Sequence, residues 1–173
     1  TVQMVVAVWG IVALGLCAQD VRGHVLVCTN KACRKDGGKD VLSRLRQIAE
    51  IADFTGPQPS FQVEECGCLG SCGKGPNIAV RSPARDSDKL YPDVFKPSTA
   101  AAIVEIEFGV EVPEALVTAQ KCVMKAERFL TQDKVQDAAD MYEQGAALDQ
   151  PSASLHLQCE EGLRATRERL GRR

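Results

Sequence analysis

The chain has 173 residues, which is enough for one ordinary domain with an appendage or for two small domains. Apolar residues make up 45% and charged residues 25%, a balance typical of folded rather than disordered proteins. The net charge of −2 and the aromatic content of 5% argue against a nucleic-acid-binding protein, which needs a basic face or stacking rings.

The first 19 residues carry no charge, and residues 4–18 are nearly all apolar. This length is at the short end of what crosses a bilayer, where about 17–25 residues are needed. We therefore expect residues 1–19 to form an apolar helix that anchors the chain in a membrane or lies against membrane subunits. A retained signal or transit segment and a soluble core element are the alternatives.

Residues 20–110 alternate between strand-like and helical patterns. We predict strands at 24–27, 61–65, 77–81 and 89–94. We predict amphipathic helices at 39–52 and 97–108, and a turn-rich loop at 28–38. The helix between the first two strands predicts that they are parallel, and the short later connections predict antiparallel pairing. The pattern indicates a layered α+β domain.

Residues 111–173 are helical in pattern throughout. Three amphipathic runs are expected at 114–130, 133–148 and 152–170, with Pro151 before the third. Small and aromatic residues in 126–149 resemble a tetratricopeptide repeat: Ala126, Phe129, Ala138, Tyr142 and Gly145. One such hairpin cannot bury its apolar face alone, so we expect it to pack on the first domain or on a partner, with the third helix as a cap.

Five of the eight cysteines lie in two short loops. Cys28 and Cys33 form a C-x₄-C pair, and Cys66, Cys68 and Cys72 combine C-x-C with C-x₃-C. This clustering fits metal ligation better than a secreted disulfide framework, and it predicts a reducing compartment. The remaining cysteines are expected in apolar segments, with Cys122 and Cys159 as small buried groups on helices.

The two loops resemble those of the thioredoxin-like [2Fe–2S] ferredoxin family over residues 24–108. The matching pattern is C-x₄-C, a helix, and then C-G-C-L-G-x-C-x-x-G-P-N-x-x-V. The resemblance implies an α+β, thioredoxin-like ferredoxin domain at 20–110, followed by an all-α helical tail and preceded by the apolar N-terminal helix. It also implies a [2Fe–2S] cluster with four ligands: Cys28, Cys33, Cys68 and Cys72. Zinc and a thiol–disulfide oxidoreductase remain as alternatives, although neither pair has the C-x₂-C spacing that both favour.

Glycines fill the second loop and allow backbone N–H groups to approach sulfur: Gly67, Gly70, Gly73 and Gly75. We expect Cys66 to be a free thiol at a strand end that points away, with substitution as a ligand as the alternative. The Gly75–Pro76 bond is expected to be trans on base rates.

These features predict a one-electron carrier that is attached to a membrane, docked to a redox protein partner by its tail, and not an enzyme. Basic side chains around the loops either steer an acidic partner or form a solvated rim: Lys31, Arg34, Lys35, Lys39 and Lys74. The alternative is an accessory subunit of a large membrane complex of photosystem I or respiratory type, with a structural or vestigial cluster. By resemblance, the stromal side of a plastid thylakoid is the expected location, and no nucleic acid is involved.

Overall fold

The computed structural model describes residues 23–55, 61–82, 85–149 and 152–172. The expected N-terminal helix at 1–19 lies outside these residues. The described strands are β1 (His24–Cys28), β2 (Gln62–Cys66), β3 (Ile78–Arg81) and β4 (Lys89–Tyr91). The described helices are α1 (Lys31–Lys35), α2 (Gly38–Thr55), α3 (Pro97–Phe108), α4 (Glu114–Thr131), α5 (Val135–Ala146) and α6 (Ala153–Gly171).

The strands form one sheet in the order β2-β1-β3-β4. As predicted, β1 and β2 are parallel across the α2 crossover, whereas β1–β3 and β3–β4 are antiparallel. Val25 lies opposite Val80, and Val27 lies opposite Ile78. All four side chains are fully buried, so they present one continuous apolar face to the helices. The predicted α+β class is confirmed.

The apolar side of α2 fills the centre of the core. Leu45 and Ile48 are almost completely buried within one hydrophobic cluster that also includes the sheet valines and Val104 of α3. Phe61 and Phe108 stack with ring centroids 4.7 Å apart and thereby close the core beside β2. Because α2 packs against β1, the loop between them lies at the end of the sheet.

Three local predictions need correction. The loop at 28–38 contains the short helix α1, because the Asn30 side chain accepts a hydrogen bond from the Lys31 amide and starts a helical turn. The fourth strand ends at Tyr91, since Pro92 cannot donate to a sheet ladder. The Gly75–Pro76 bond is cis rather than trans.

In the tail, α4 and α5 form a helical hairpin, and α6 packs mainly on α5. The packing is close at Gly145, where an added Cβ would lie 2.9 Å from the Cys159 sulfur. Cys122 and Cys159 are both buried, as expected. The helical hairpin is therefore present, whereas its assignment to the tetratricopeptide class stays a prediction.

The tail packs on the first domain through a polar seam along α2. Gln120 of α4 donates to the Arg44 carbonyl at 3.0 Å, and Gln47 donates to the Gln158 side chain at 2.9 Å. Ser152 donates to a Glu50 carboxylate oxygen at 2.7 Å. Apolar residues of both parts belong to one hydrophobic cluster, so the described tail packs against the sheet domain as expected. Across the described ranges, every helix is too short or too polar to cross a membrane.

Candidate metal centre

The first cysteine pair is buried at the end of the central strand. Cys28 is the last residue of β1, and Cys33 lies on α1; their exposed fractions are 1% and 2%. Burial raises the pKa of the Cys33 thiol, and its hydrogen bond with Cys28 raises it further. Both thiols are thus shielded from water where β1 ends and α1 begins.

The second pair lies on the loop after β2 and is exposed. The sulfurs of Cys68 and Cys72 are 3.3 Å apart. The Gly70 amide, at φ +79°, donates to the Cys68 sulfur at 3.4 Å and lowers the pKa of that thiol. The hydrogen bond with Cys68 raises the pKa of Cys72, and a smaller contribution comes from Cys28 in the first pair. Glycine suits position 70 because a side chain is disfavoured at positive φ.

Asn77 fastens the two loops together, a role that sequence analysis missed. Its side-chain amide donates to the Ser71 carbonyl at 2.8 Å and approaches the Cys33 sulfur at 3.5 Å. Its backbone carbonyl accepts from the Cys28 amide at 3.0 Å. At 1% exposure, Asn77 is a buried polar group whose partners come from both cysteine loops. The only sequence signal was an asparagine between the Gly-Pro turn and an apolar strand.

Two glycines are also required by close approach at the first pair. A Cβ on Gly38 would lie 2.6 Å from the Cys28 carbonyl oxygen and 2.8 Å from that of Cys33. A Cβ on Gly75 would lie 3.1 Å from the Cys33 sulfur. Gly75 was expected to be important from its loop, but Gly38 was not, since it only appeared as the last residue before a predicted helix.

The donor set consists of two separate pairs. Among the described residues, no three cysteine, histidine or acidic side chains are grouped closely enough to hold one metal ion. A structural zinc ion needs four ligands at one centre, whereas a [2Fe–2S] cluster takes two thiolates on each of its two irons. Two thiolates on one tetrahedral metal, at about 2.3 Å each, lie roughly 3.8 Å apart, so the 3.3 Å pair needs only a small opening. Two thiols at each of two places therefore fit the donor set of a two-iron cluster.

The other cysteines within the described ranges take no part in either pair. Cys66 ends β2 opposite Cys28 in the parallel ladder, and it is half-buried. Burial raises the pKa of its thiol, with further increases from neighbouring cysteines. All seven cysteines within the described ranges are free thiols.

Exposed basic groups surround the loops, together with one large apolar side chain. The basic residues predicted to lie there are all exposed: Lys31, Arg34, Lys35, Lys39 and Lys74. Phe95 is 47% exposed, and its ring lies 3.7 Å from the point where a Cβ on Gly37 would be. An exposed aromatic ring among cations is typical of a contact surface.

The family comparison agrees with this chemistry. The model of the thioredoxin-like [2Fe-2S] ferredoxin family matches residues 18–107. Among solved structures, the wild-type thioredoxin-like [2Fe-2S] ferredoxin from Aquifex aeolicus is 21% identical, with a TM-score of 0.42. That match covers 51% of this chain and 87% of the other. No curated protein matches. Since the family model covers more than half of the 173 residues, the chain belongs to the thioredoxin-like [2Fe–2S] ferredoxin family, which implies a [2Fe–2S] cluster and electron transfer through it.

Proposed function

We propose that this protein carries single electrons through a [2Fe–2S] cluster held by Cys28, Cys33, Cys68 and Cys72. The observation that carries the proposal is the presentation of two thiol pairs by adjacent loops, one buried at β1 and one exposed after β2. When bound, the cluster supplies a redox couple that gains and loses one electron.

The protein itself supplies the ligand sulfurs and the hydrogen bonds to them, and it determines which side of the cluster is open to solvent. The Gly70 amide and the Asn77 side chain each direct an N–H group toward a ligand sulfur. Such donors stabilise negative charge on sulfur and so tune the reduction potential. Because Cys68 and Cys72 are exposed and the first pair is buried, the second loop is the side on which a redox partner makes contact.

We further propose that this partner is acidic at its contact surface. The segments 28–40, 66–77 and 93–96 together hold six basic and three acidic residues, whereas the rest of the chain holds 15 basic and 20 acidic residues. Charge of one sign around a redox site accelerates encounter with a partner of the opposite sign. Phe95, exposed beside Gly37, supplies an apolar contact on this surface.

This charge proposal is tested with small electron acceptors of opposite charge. Reduced protein should transfer electrons faster to anionic ferricyanide than a Lys35→Glu/Lys74→Glu variant does, and the difference should shrink as salt is added. A cationic cobalt hexammine acceptor should show the reverse order. Equal rates for both proteins with both acceptors would contradict a steering role.

Membrane attachment through residues 1–19 is a separate part of the proposal, supported by the uncharged apolar sequence there. The test compares the full chain with a version that begins at residue 20 in binding to phospholipid vesicles. The full chain should sediment with the vesicles, and the shortened chain should stay in solution. Equal sedimentation would refute the anchor.

The ligand assignment is tested with single serine variants purified without oxygen. Serine at Cys28, Cys33, Cys68 or Cys72 should remove or alter the visible chromophore and the electron paramagnetic resonance signal of the reduced protein. Cys66→Ser is the matched control, because this thiol ends β2, just before the second loop, and lies outside both pairs. If Cys66→Ser abolished the signal and Cys68→Ser preserved it, the assignment would be wrong.

A further inference from the structure

Arg44 is a buried cation that the electron-transfer site does not explain. It lies on α2 and is 8% exposed. Burial lowers the pKa of its guanidinium, while two facing carboxylates favour the charged form: Asp40 from the preceding turn and Glu127 from α4. Burying a charge costs free energy unless the charge is paired and hydrogen-bonded, so what matters is which groups the Arg44 guanidinium contacts.

The guanidinium is hydrogen-bonded to a backbone segment that in turn is hydrogen-bonded to the end of the second cysteine loop. Its Nη1 donates to the Phe95 carbonyl at 2.9 Å, 51 residues away in sequence. We name residues 93–95 the strap. The Asp93 amide donates to the Lys74 carbonyl at 3.0 Å, and the Val94 amide donates to the Pro76 carbonyl at 2.9 Å. The strap therefore fixes the end of the loop whose Gly75 packs against Cys33.

The strap needs an external support. Asp93 adopts φ +56°, a left-handed conformation that is uncommon outside glycine, although aspartate adopts it more readily than most residues. Val94 is buried, whereas the Asp93 and Phe95 side chains are exposed, so few side-chain contacts hold the strap ends. The bond from Arg44 to the Phe95 carbonyl supplies a charge-assisted restraint at one end.

The helical tail meets the same arginine. Gln120 of α4, which is 1% exposed, donates to the Arg44 carbonyl at 3.0 Å and to the Gln47 side chain at 2.9 Å. The contacts thus run without a break from α4 through Arg44 and the strap to the loop that carries Cys68 and Cys72.

We propose that Arg44 is a positioning residue that fixes the second cysteine loop relative to the helical tail. The proposal rests on the proposed function in one respect, since it treats that loop as a cluster-binding loop. Its mechanical part, that Arg44 restrains the strap, holds or fails independently of the cluster.

The mechanical part is tested by hydrogen exchange in the metal-free full chain. Arg44→Met should reduce the protection of the Asp93 and Val94 amides at least tenfold and leave the Val27 amide in the central strand unchanged. Arg44→Lys, which keeps the charge but not the planar fork, should lie between. Glu50→Gln is the control, because it weakens bonds across the same seam without contact to the strap.

The loaded protein provides the second readout. Arg44→Lys, which keeps the positive charge but loosens the strap, should shift the midpoint reduction potential to a more positive value, because a looser loop admits water that stabilises the reduced, more negative cluster. Arg44→Met also removes a cation, which acts in the opposite direction, so its shift should be smaller or reversed. Glu50→Gln should leave the midpoint potential unchanged.

Two results would overturn the inference. One is unchanged protection of Asp93 and Val94 in folded Arg44→Met. The other is an equal loss of protection at Val27, which would show general destabilisation. If Arg44→Met does not fold, Arg44→Lys takes its place, and strap protection must fall there instead, because lysine cannot reproduce the Nη1 bond to the Phe95 carbonyl. Loss of strap protection together with an absent cluster in wild-type protein would refute the proposed function while leaving the restraint intact.

Discussion

Replacing Gly38 by alanine would insert a methyl group between the backbones of the two buried cysteines. Its Cβ would lie 2.6 Å from the Cys28 carbonyl oxygen and 2.8 Å from that of Cys33, where ordinary contacts begin at 3.4 Å. Backbone atoms must therefore move by about 0.6–0.8 Å. Both obstacles are main-chain atoms of the proposed ligands, so no side-chain rotation relieves the clash.

Two opposing effects set the size of the loss. Overpacking typically costs about 1–3 kcal/mol, whereas alanine in place of glycine in a helix gains about 0.5–1 kcal/mol. The net loss lies between about 0 and 2.5 kcal/mol, and because both obstacles are main-chain atoms we expect it in the upper half of that range, up to roughly 10 °C in melting temperature for a chain of this size. The effect on cluster loading should be larger, because displacement acts directly on the positions of Cys28 and Cys33.

The assay combines thermal unfolding of the metal-free chain with iron content after anaerobic reconstitution. Gly38→Ala should melt at a lower temperature and bind less than half of the wild-type iron. Gly171→Ala is the matched control, since a Cβ there meets nothing within 4 Å. Wild-type stability and full iron content in Gly38→Ala would refute the close-approach reasoning.

Three further predictions concern individual side chains. Asn77→Ala should lower the free energy of unfolding by about 1–3 kcal/mol, because the Ser71 carbonyl loses its buried hydrogen-bond partner. The variant should also lose its bound cluster faster, as measured by the decay of visible absorbance, and an unchanged cluster lifetime would contradict the role of Asn77 in joining the two loops. Burial raises the pKa of Glu107, but hydrogen bonds from Tyr91 and Lys89 outweigh it and lower the pKa to about 2. Above pH 4.5 the free energy of unfolding of wild type should therefore exceed that of Glu107→Gln by about 1–2 kcal/mol. In acid denaturation this difference should vanish as the pH falls toward 2, and a difference that stays constant with pH would contradict the reasoning. Cys159, fully buried with a pKa raised to about 11 mainly by burial, should resist iodoacetamide at pH 8 until the chain is unfolded, as read by mass spectrometry; rapid native labelling would be inconsistent with the described packing.

The repeating patterns explain why much of the fold could be predicted from the sequence. The apolar spacing of α2 and of the tail helices reflects burial on one face, and the crossover rule determined that β1 and β2 are parallel. The cysteine spacing likewise indicated two loops, because the members of each pair are close in sequence and the two pairs are far apart.

The supporting residues could not be predicted in this way. These residues act through partners that only the fold brings near. Asn77 contacts a sulfur 44 residues away, and Arg44 contacts a carbonyl 51 residues away. Gly38, at the start of α2, lies against the carbonyls of Cys28 and Cys33. Unlike apolar residues on a helix or strand face, polar residues and glycines that make such tertiary contacts do not recur at a regular spacing in the sequence. The α1 helix was missed for another reason: its five residues are mostly good helix formers, but the stretch is too short to show a helical repeat and lies between the turn formers Asn30 and Gly37.

The central claim is that four thiolates hold two irons in two pairs, and the most direct test is elemental. Iron, zinc and acid-labile sulfide are measured in full-length protein purified without oxygen. The account predicts two irons and two sulfides per chain with little zinc. One zinc per chain, with neither iron nor sulfide, would contradict it.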